Sequence, residues 1–193
     1  MNICQYSYEE YLNMVKSFHG NLAPGLVIGG FMVDLAMKNL PEGEFFDAIC
    51  ETPVCLPDAV QLLTPCTIGN GWLSIIPFGR FAITFYEKYT GAGVRVFLDM
   101  EKLNHWPEVR DWYLKKKKKS EQDKDLLFAQ IQEAGHALLG VQKVQVDPEK
   151  VRRKKTGPVG FCPVCGEAYP LRDGDSCRNC QGETPYSSVT AVS

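Results

Sequence analysis

No stretch of this chain is both long and apolar enough to cross a bilayer. The most apolar segment, residues 25–37, is interrupted by Asp34 and falls short of the ~20 residues a spanning helix needs. The first residues, Met1-Asn2-Ile3-Cys4-Gln5-Tyr6, have neither the charged start nor the apolar run of an export signal. Eight cysteines without such a signal point to a reducing, cytoplasmic setting. A net charge of −2 leaves no global basic field aimed at nucleic acid or membrane. Familiar catalytic signatures are missing too: there is no GxSxG, no HExxH and no defensible Ser-His-Asp ordering. Gly25-x-x-x-Gly29-Gly30 is not a GxGxxG fingerprint and follows no strand, so a dinucleotide site is excluded. The chain has no internal repeats.

What is present begins at the C-terminal end. Cys162-x2-Cys165-x11-Cys177-x2-Cys180 sets two thiolates on each of two tight turns, joined by a loop long enough to bring the turns together. Four sulfur ligands in a tetrahedron suit Zn²⁺. The alternatives are a pair of disulfides or a redox CxxC. The first lacks an export signal and the second lacks a surrounding βαβ pattern, so zinc is expected. A closed Cys4 site has no open coordination position, and the metal is therefore structural.

The 193 residues as a whole are 45% hydrophobic, enough for a core domain besides the ribbon. Ser7-Tyr8-Glu9-Glu10 reads as a capping box opening a helix, with Tyr11, Leu12, Val15 and Phe18 on one face and its end near His19-Gly20. Pro24 opens a second helix, where Gly25, Gly29 and Ala36 permit close backbone approach. A strand is expected over 44–51 and a short helix over 57–63. The β-rich runs 72–78, 81–87 and 93–98 suggest an antiparallel meander. Helices over 106–114 and 121–139 follow, then a strand over 141–146. The predicted class is α+β, an N-terminal core of helices packed on an antiparallel sheet with a small C-terminal zinc ribbon. The lysine run 115–119 reads as a solvated turn or helix face. His105 and His136 fall within predicted helices, and His136 reads as a packing residue.

A second constellation lies in the first part of the chain: His19 at a helix end, Cys55 just before a predicted helix, and Cys66 beyond its other end. The free N–H groups at a helix start favour thiolate, which would make Cys55 a metal ligand or nucleophile. Cys66 reaches the same cavity only if the flanking loops bend inward. The competing reading makes Cys55 and Cys66 small core residues and His19 a hydrogen-bonded helix terminator. Cys4 and Cys50 read as core residues.

The string His19-Gly20-x-x-x-Pro24-Gly25-x-x-x-Gly29, then Cys55-x-x-Asp58-Ala59-x-Gln61 and Cys66-Thr67-x-Gly69-x-Gly71, resembles the FmdE family, named for a component of formylmethanofuran dehydrogenase. Phe81-Ala82-Ile83-Thr84-Phe85-Tyr86 and Thr90-Gly91-x-Gly93-Val94-Arg95 fit the same family, so the resemblance covers roughly residues 15–98. It implies a metal or ligand cleft near His19, Cys55 and Cys66, a ribbon appended to an α+β core, and an intertwined homodimer. Two positions depart from the family pattern. Asn21 stands where a second histidine is usual, and Pro65 where glycine usually precedes the second cysteine. Asn21 is a poor transition-metal ligand. Asp58 could replace it as a ligand, although capping the short helix is the expected role. The dehydrogenase's redox chemistry needs a molybdenum or tungsten pterin and iron–sulfur clusters on its other components, and nothing here resembles their sites.

The expected organisation is an FmdE-like core over 1–147, a basic linker over 148–158 and a zinc ribbon over 159–193. The expected cofactors are a structural zinc in the ribbon and a second metal ion, zinc, in the core. The expected role is that of a zinc-binding accessory or metal-handling protein acting as a homodimer, with the ribbon available to a protein partner and no membrane contact. One alternative is a binding module in which the ribbon and Arg152, Arg153, Lys154 and Lys155 hold nucleic acid. It ranks lower because the ribbon carries acidic residues and few aromatics. The other is a metal-dependent enzyme using the core site.

Overall fold

A small hairpin, β1 (Asn2–Ile3) and β2 (Tyr6–Ser7), feeds directly into helix α1 (Tyr8–His19). In the computed structural model, which describes residues 1–151 and 156–187, Ser7 Oγ accepts from the Glu10 N–H at 3.3 Å. Glu10 Oε2 in turn accepts from the Ser7 N–H at 2.8 Å. This is the capping box expected from the sequence, and it satisfies two donors the first turn leaves bare. Gly20 ends the helix at φ +80°, a conformation open to glycine. Tyr11 and Val15 are buried as expected, but Phe18 is 53% exposed. Its place at the helix end carries it past the core.

Helix α2 (Pro24–Met37) is apolar on nearly every side and is buried from Gly25 to Asp34. Such a helix belongs in the middle of a core. Gly30 is required there because a Cβ would strike the ring of the fully buried Tyr11, whose Oη donates to Leu26 O at 2.8 Å. The buried Asp34 accepts from the Cys4 N–H at 2.9 Å and from Lys38 Nζ at 2.7 Å, and His136 Nε2 lies 2.7 Å from its Oδ2 without hydrogen-bond geometry. His136, expected to be a packing residue, therefore also lies against a carboxylate.

The core sheet contains β3 (Phe46–Cys50), β4 (Leu73–Ile75), β5 (Ala82–Glu87), β6 (Ala92–Leu98) and β7 (Leu139–Gln145), in the order β4-β3-β5-β6-β7. Helix α3 (Leu56–Leu63) crosses over between β3 and β4, which pair in parallel. A parallel pair requires such a crossover. The meander is thus β5-β6-β7, and the run expected over 72–78 supplies an edge strand instead. All other pairings in this sheet are antiparallel, so the α+β class holds. Every residue of β5 is buried, as suits its central place.

Helix α4 (Pro107–Tyr113) precedes α5 (Lys124–Ala134), which Asp123 caps by accepting from the Leu126 N–H at 3.0 Å. The helix expected over 121–139 stops at Ala134 because Gly135 takes φ +49°. A 3-10 turn, Gly135–Leu138, then leads into β7. His105 likewise sits in a 3-10 turn, Lys102–His105. No described helix is long and apolar enough to cross a membrane.

The chain divides into two compact units, Met1–Val151 and Arg152–Ser193. A one-turn helix, α6 (Pro148–Val151), ends the first. The basic cluster Arg152, Arg153, Lys154 and Lys155 lies outside the described residues. In the second unit, β8 (Val159–Phe161) pairs antiparallel with β9 (Ala168–Pro170).

Candidate functional site

The ribbon hairpin places its cysteines by local geometry. After β8 the chain turns through Cys162 to Cys165, and Gly166 at φ +77° lets its N–H reach Cys162 O at 2.9 Å. The second turn repeats this with Gln181 N–H on Cys177 O at 3.1 Å, followed by Gly182 at φ +98°. The four sulfurs then lie within 4.8 Å of one another. Among the described residues this is the one such group of three or more metal-ligating side chains. Cys162 is buried and accepts from the Cys177 N–H at 3.4 Å. That donor, with the Cys165 and Val164 N–H groups, brings its thiol down to about 6. Cys180 is pushed up to about 12, first by its contact with Cys177. Thiols this close resist ionising together unless a cation lies between them. The donor set therefore fits a divalent, thiophilic ion that would be held by all four sulfurs.

The core cysteines do not share one site. Cys66 donates its S–H to Phe46 O at 3.4 Å and lines an apolar cavity with Phe46, Trp72 and Phe85. Burial pushes its thiol up, and so does Asp47, while Thr64 acts the other way. The loops flanking α3 do not bend Cys66 toward Cys55. The thiol of Cys50 is pushed up to about 12, first by burial and then by the charge of a Cys66 thiolate.

Cys55 lines a different and larger cavity, of about 870 Å³. It is the central residue of a γ-turn at φ +61°, ψ −53°, closed by the Leu56 N–H on Val54 O at 2.7 Å. This turn is strained for a residue with a side chain. A Cβ on Gly25 would sit 3.1 Å from Cys55 Sγ, so the glycine lets the thiol lie against the first turn of α2. The expectation of a favoured thiolate is corrected here. Burial raises the Cys55 thiol, and the Asp58 carboxylate raises it further.

Asp58 does not cap α3, which has no side-chain cap. Its Oδ2 lies 2.7 Å from His19 Nδ1. The pair joins the end of α1 to the first turn of α3 and leaves His19 Nε2 as the nitrogen open to a ligand, the usual arrangement behind a metal-binding histidine. Cys55 before α3 and the His19–Asp58 pair at its first turn thus lie at the same end of the helix, although only Cys55 of the three lines the large cavity. Asn21 lies on the cavity wall and is exposed.

Sequence reasoning misses the far wall. Trp112, Tyr113 and Phe128 line the cavity together with Lys115, Lys119 and Lys124. Part of the lysine run, read as a solvated turn, is therefore cavity lining. The Trp112-Tyr113 pair just before the run is the signal that separates it from an ordinary solvated turn.

Comparison with known proteins agrees with this architecture. Residues 18–146 match the FmdE family, described as "FmdE, Molybdenum formylmethanofuran dehydrogenase operon". Residues 153–187 match the FmdE treble clef zinc finger. A crystal structure of a tungsten formylmethanofuran dehydrogenase FmdE-like protein from Syntrophus aciditrophicus is 57% identical, with a TM-score of 0.87, covering 96% of this chain and 97% of that one. A probable S-adenosyl-L-methionine-binding protein from Archaeoglobus fulgidus is 29% identical over 188 residues, covering 86% of this chain. The chain spans about half the length of that curated relative, 51%. This chain belongs to the FmdE family and carries the family's treble clef zinc finger after its core.

Proposed function

We propose that this protein is a zinc-containing accessory or metal-handling protein whose core cleft binds a metal or small ligand at the Cys55 end of α3. One observation carries the reading: His19 Nδ1 is held by Asp58 at 2.7 Å, one turn from a cysteine that lines the large cavity. A histidine fixed through one ring nitrogen by a carboxylate offers the other to a ligand. Cys66 lines a separate cavity and is left out of this set. The ribbon's zinc is structural, since four sulfurs leave no open position. The protein acts as a cytoplasmic homodimer in this reading, and the ribbon serves a protein contact. The name of the Archaeoglobus relative supports a small-molecule cleft over a polymer-binding surface.

The test is elemental analysis of the wild type beside Cys55→Ala and Cys162→Ser/Cys165→Ser. Two metals per chain, with one lost in each variant, support separate core and ribbon sites. Unchanged metal content in Cys55→Ala ends the core-metal claim. Sedimentation giving a monomer at micromolar concentration ends the dimer claim.

A further inference from the structure

The cavity beside Cys55 has a volume of about 870 Å³, within the range of roughly 300–1,000 Å³ usual for small-molecule sites. Its charged lining is of one sign. Lys115, Lys119 and Lys124 face it and, among the described residues, no Asp or Glu does. None of the three forms an ion pair with a described residue, whereas neighbouring Lys117 is taken by Glu108 at 2.5 Å. A chain of net charge −2 thus concentrates uncompensated positive charge at one cavity.

The apolar lining is largely aromatic. Phe81, Trp112, Tyr113 and Phe128 are all half-buried, with Phe81 and Tyr113 edge to face at 6.0 Å. Their exposed ring surface is suited to a flat conjugated partner. Backbone strain converges on the same place. Three described non-glycine residues have positive φ, Cys4, Cys55 and Lys115, and the last two both line this cavity. Conformations of that kind cost about 1–3 kcal/mol and persist where the fold or a site requires them.

We propose that this cavity binds an organic anion joining a flat conjugated ring to two or more negative charges, of the phosphorylated heteroaromatic class. The ring lies against the aromatic wall, and the phosphates meet the lysines, which act as compact point charges. The proposal rests on the cleft being a ligand site, as argued above, but does not require a core metal.

The experiment is calorimetric titration of the full chain at low ionic strength. The probes are ADP and FMN, with adenosine, pyrophosphate and S-adenosylmethionine as comparators. At least one of ADP and FMN binds with a Kd below about 100 µM, and every comparator binds at least about tenfold more weakly. Lys119→Ala/Lys124→Ala weakens binding about tenfold or more, while its melting temperature and zinc content match the wild type. Failure of both ADP and FMN to bind below about 1 mM overturns the proposal. So does unchanged affinity in the double lysine variant. Pyrophosphate binding as tightly as the better probe would mean charge alone, and S-adenosylmethionine doing so would mean a cation is accepted. Either result also overturns it. Titration of Cys55→Ala separates the two claims: nucleotide binding that persists beside unchanged metal content removes the core metal and leaves this site standing.

Discussion

His19 and Asp58, 39 positions apart in the chain, meet at 2.7 Å and tie the end of α1 to the first turn of α3. Both side chains are about one-third exposed, at 28% and 32%, so the contact itself stabilises little. Its consequence is orientation of the ring.

Asp58→Asn is therefore expected to lower stability by no more than about 1 kcal/mol in a urea titration. In the proposed core site the same change weakens metal affinity about ten- to a hundredfold. NMR of the imidazole nitrogens at alkaline pH is expected to find the His19 proton on Nδ1. A proton on Nε2 would count against the arrangement.

The zinc finger gives a second prediction. Cys162→Ser/Cys165→Ser abolishes its zinc and exposes residues 156–187 to proteolysis. The far-ultraviolet circular dichroism of the core stays in place, because the core cluster of buried side chains contains no ribbon residue. Loss of core structure along with the zinc would refute that independence.

Glu51 and Arg95 give a third. Glu51 is 4% exposed and takes a two-pronged contact from Arg95, Nε to Oε1 at 2.7 Å and Nη2 to Oε2 at 2.9 Å. Arg80 adds a contact at 2.6 Å from a side chain that is 59% exposed. Removing Arg95 takes away both prongs and leaves the buried carboxylate only the exposed Arg80, so Arg95→Met costs about 3 kcal/mol. Arg80→Met costs about 1 kcal/mol or less. Equal losses in denaturant titrations would contradict the assignment. Burial by itself would raise Glu51, but the two arginines outweigh it and hold the carboxyl below its ordinary 4.5. A depressed carboxylate contributes its stability in full above the unfolded value. That contribution is lost as pH falls through the lower folded value. Wild-type stability therefore drops below about pH 4.5, and Arg95→Met flattens that drop.

Lys115 gives the fourth. At φ +53° it holds a conformation that glycine adopts freely. Lys115→Gly is expected to be about 1 kcal/mol more stable than Lys115→Ala, read by thermal melting. Both lose affinity for the proposed anion equally. No difference in stability would show that the backbone here is not strained, and a difference in binding would show that loss of the lysine charge is not the whole effect.

Features that depend on neighbours in the chain are legible in the sequence. The ribbon can be read because two CxxC turns carry their own geometry. The Ser7–Glu10 capping box and the Gly20 helix end are likewise local. Helix α2 is visible too, but its place at the centre of the core follows from contacts with Tyr11 and Ala59 that no spacing reveals. The parallel β3–β4 pair escapes a sequence reading because 73–75 looks the same whether its partner is a neighbouring or a distant strand.

The core site divides along the same line. Sequence determined that His19, Cys55 and Asp58 flank helix termini, since proline and glycine punctuate those termini. Only the tertiary structure decided that Asp58 turns to His19, that Cys66 faces another cavity, and that lysines and aromatics between residues 112 and 128 close over Cys55. Convergence of segments some sixty to seventy residues apart is set by packing of the whole core, and local pattern carries no record of it.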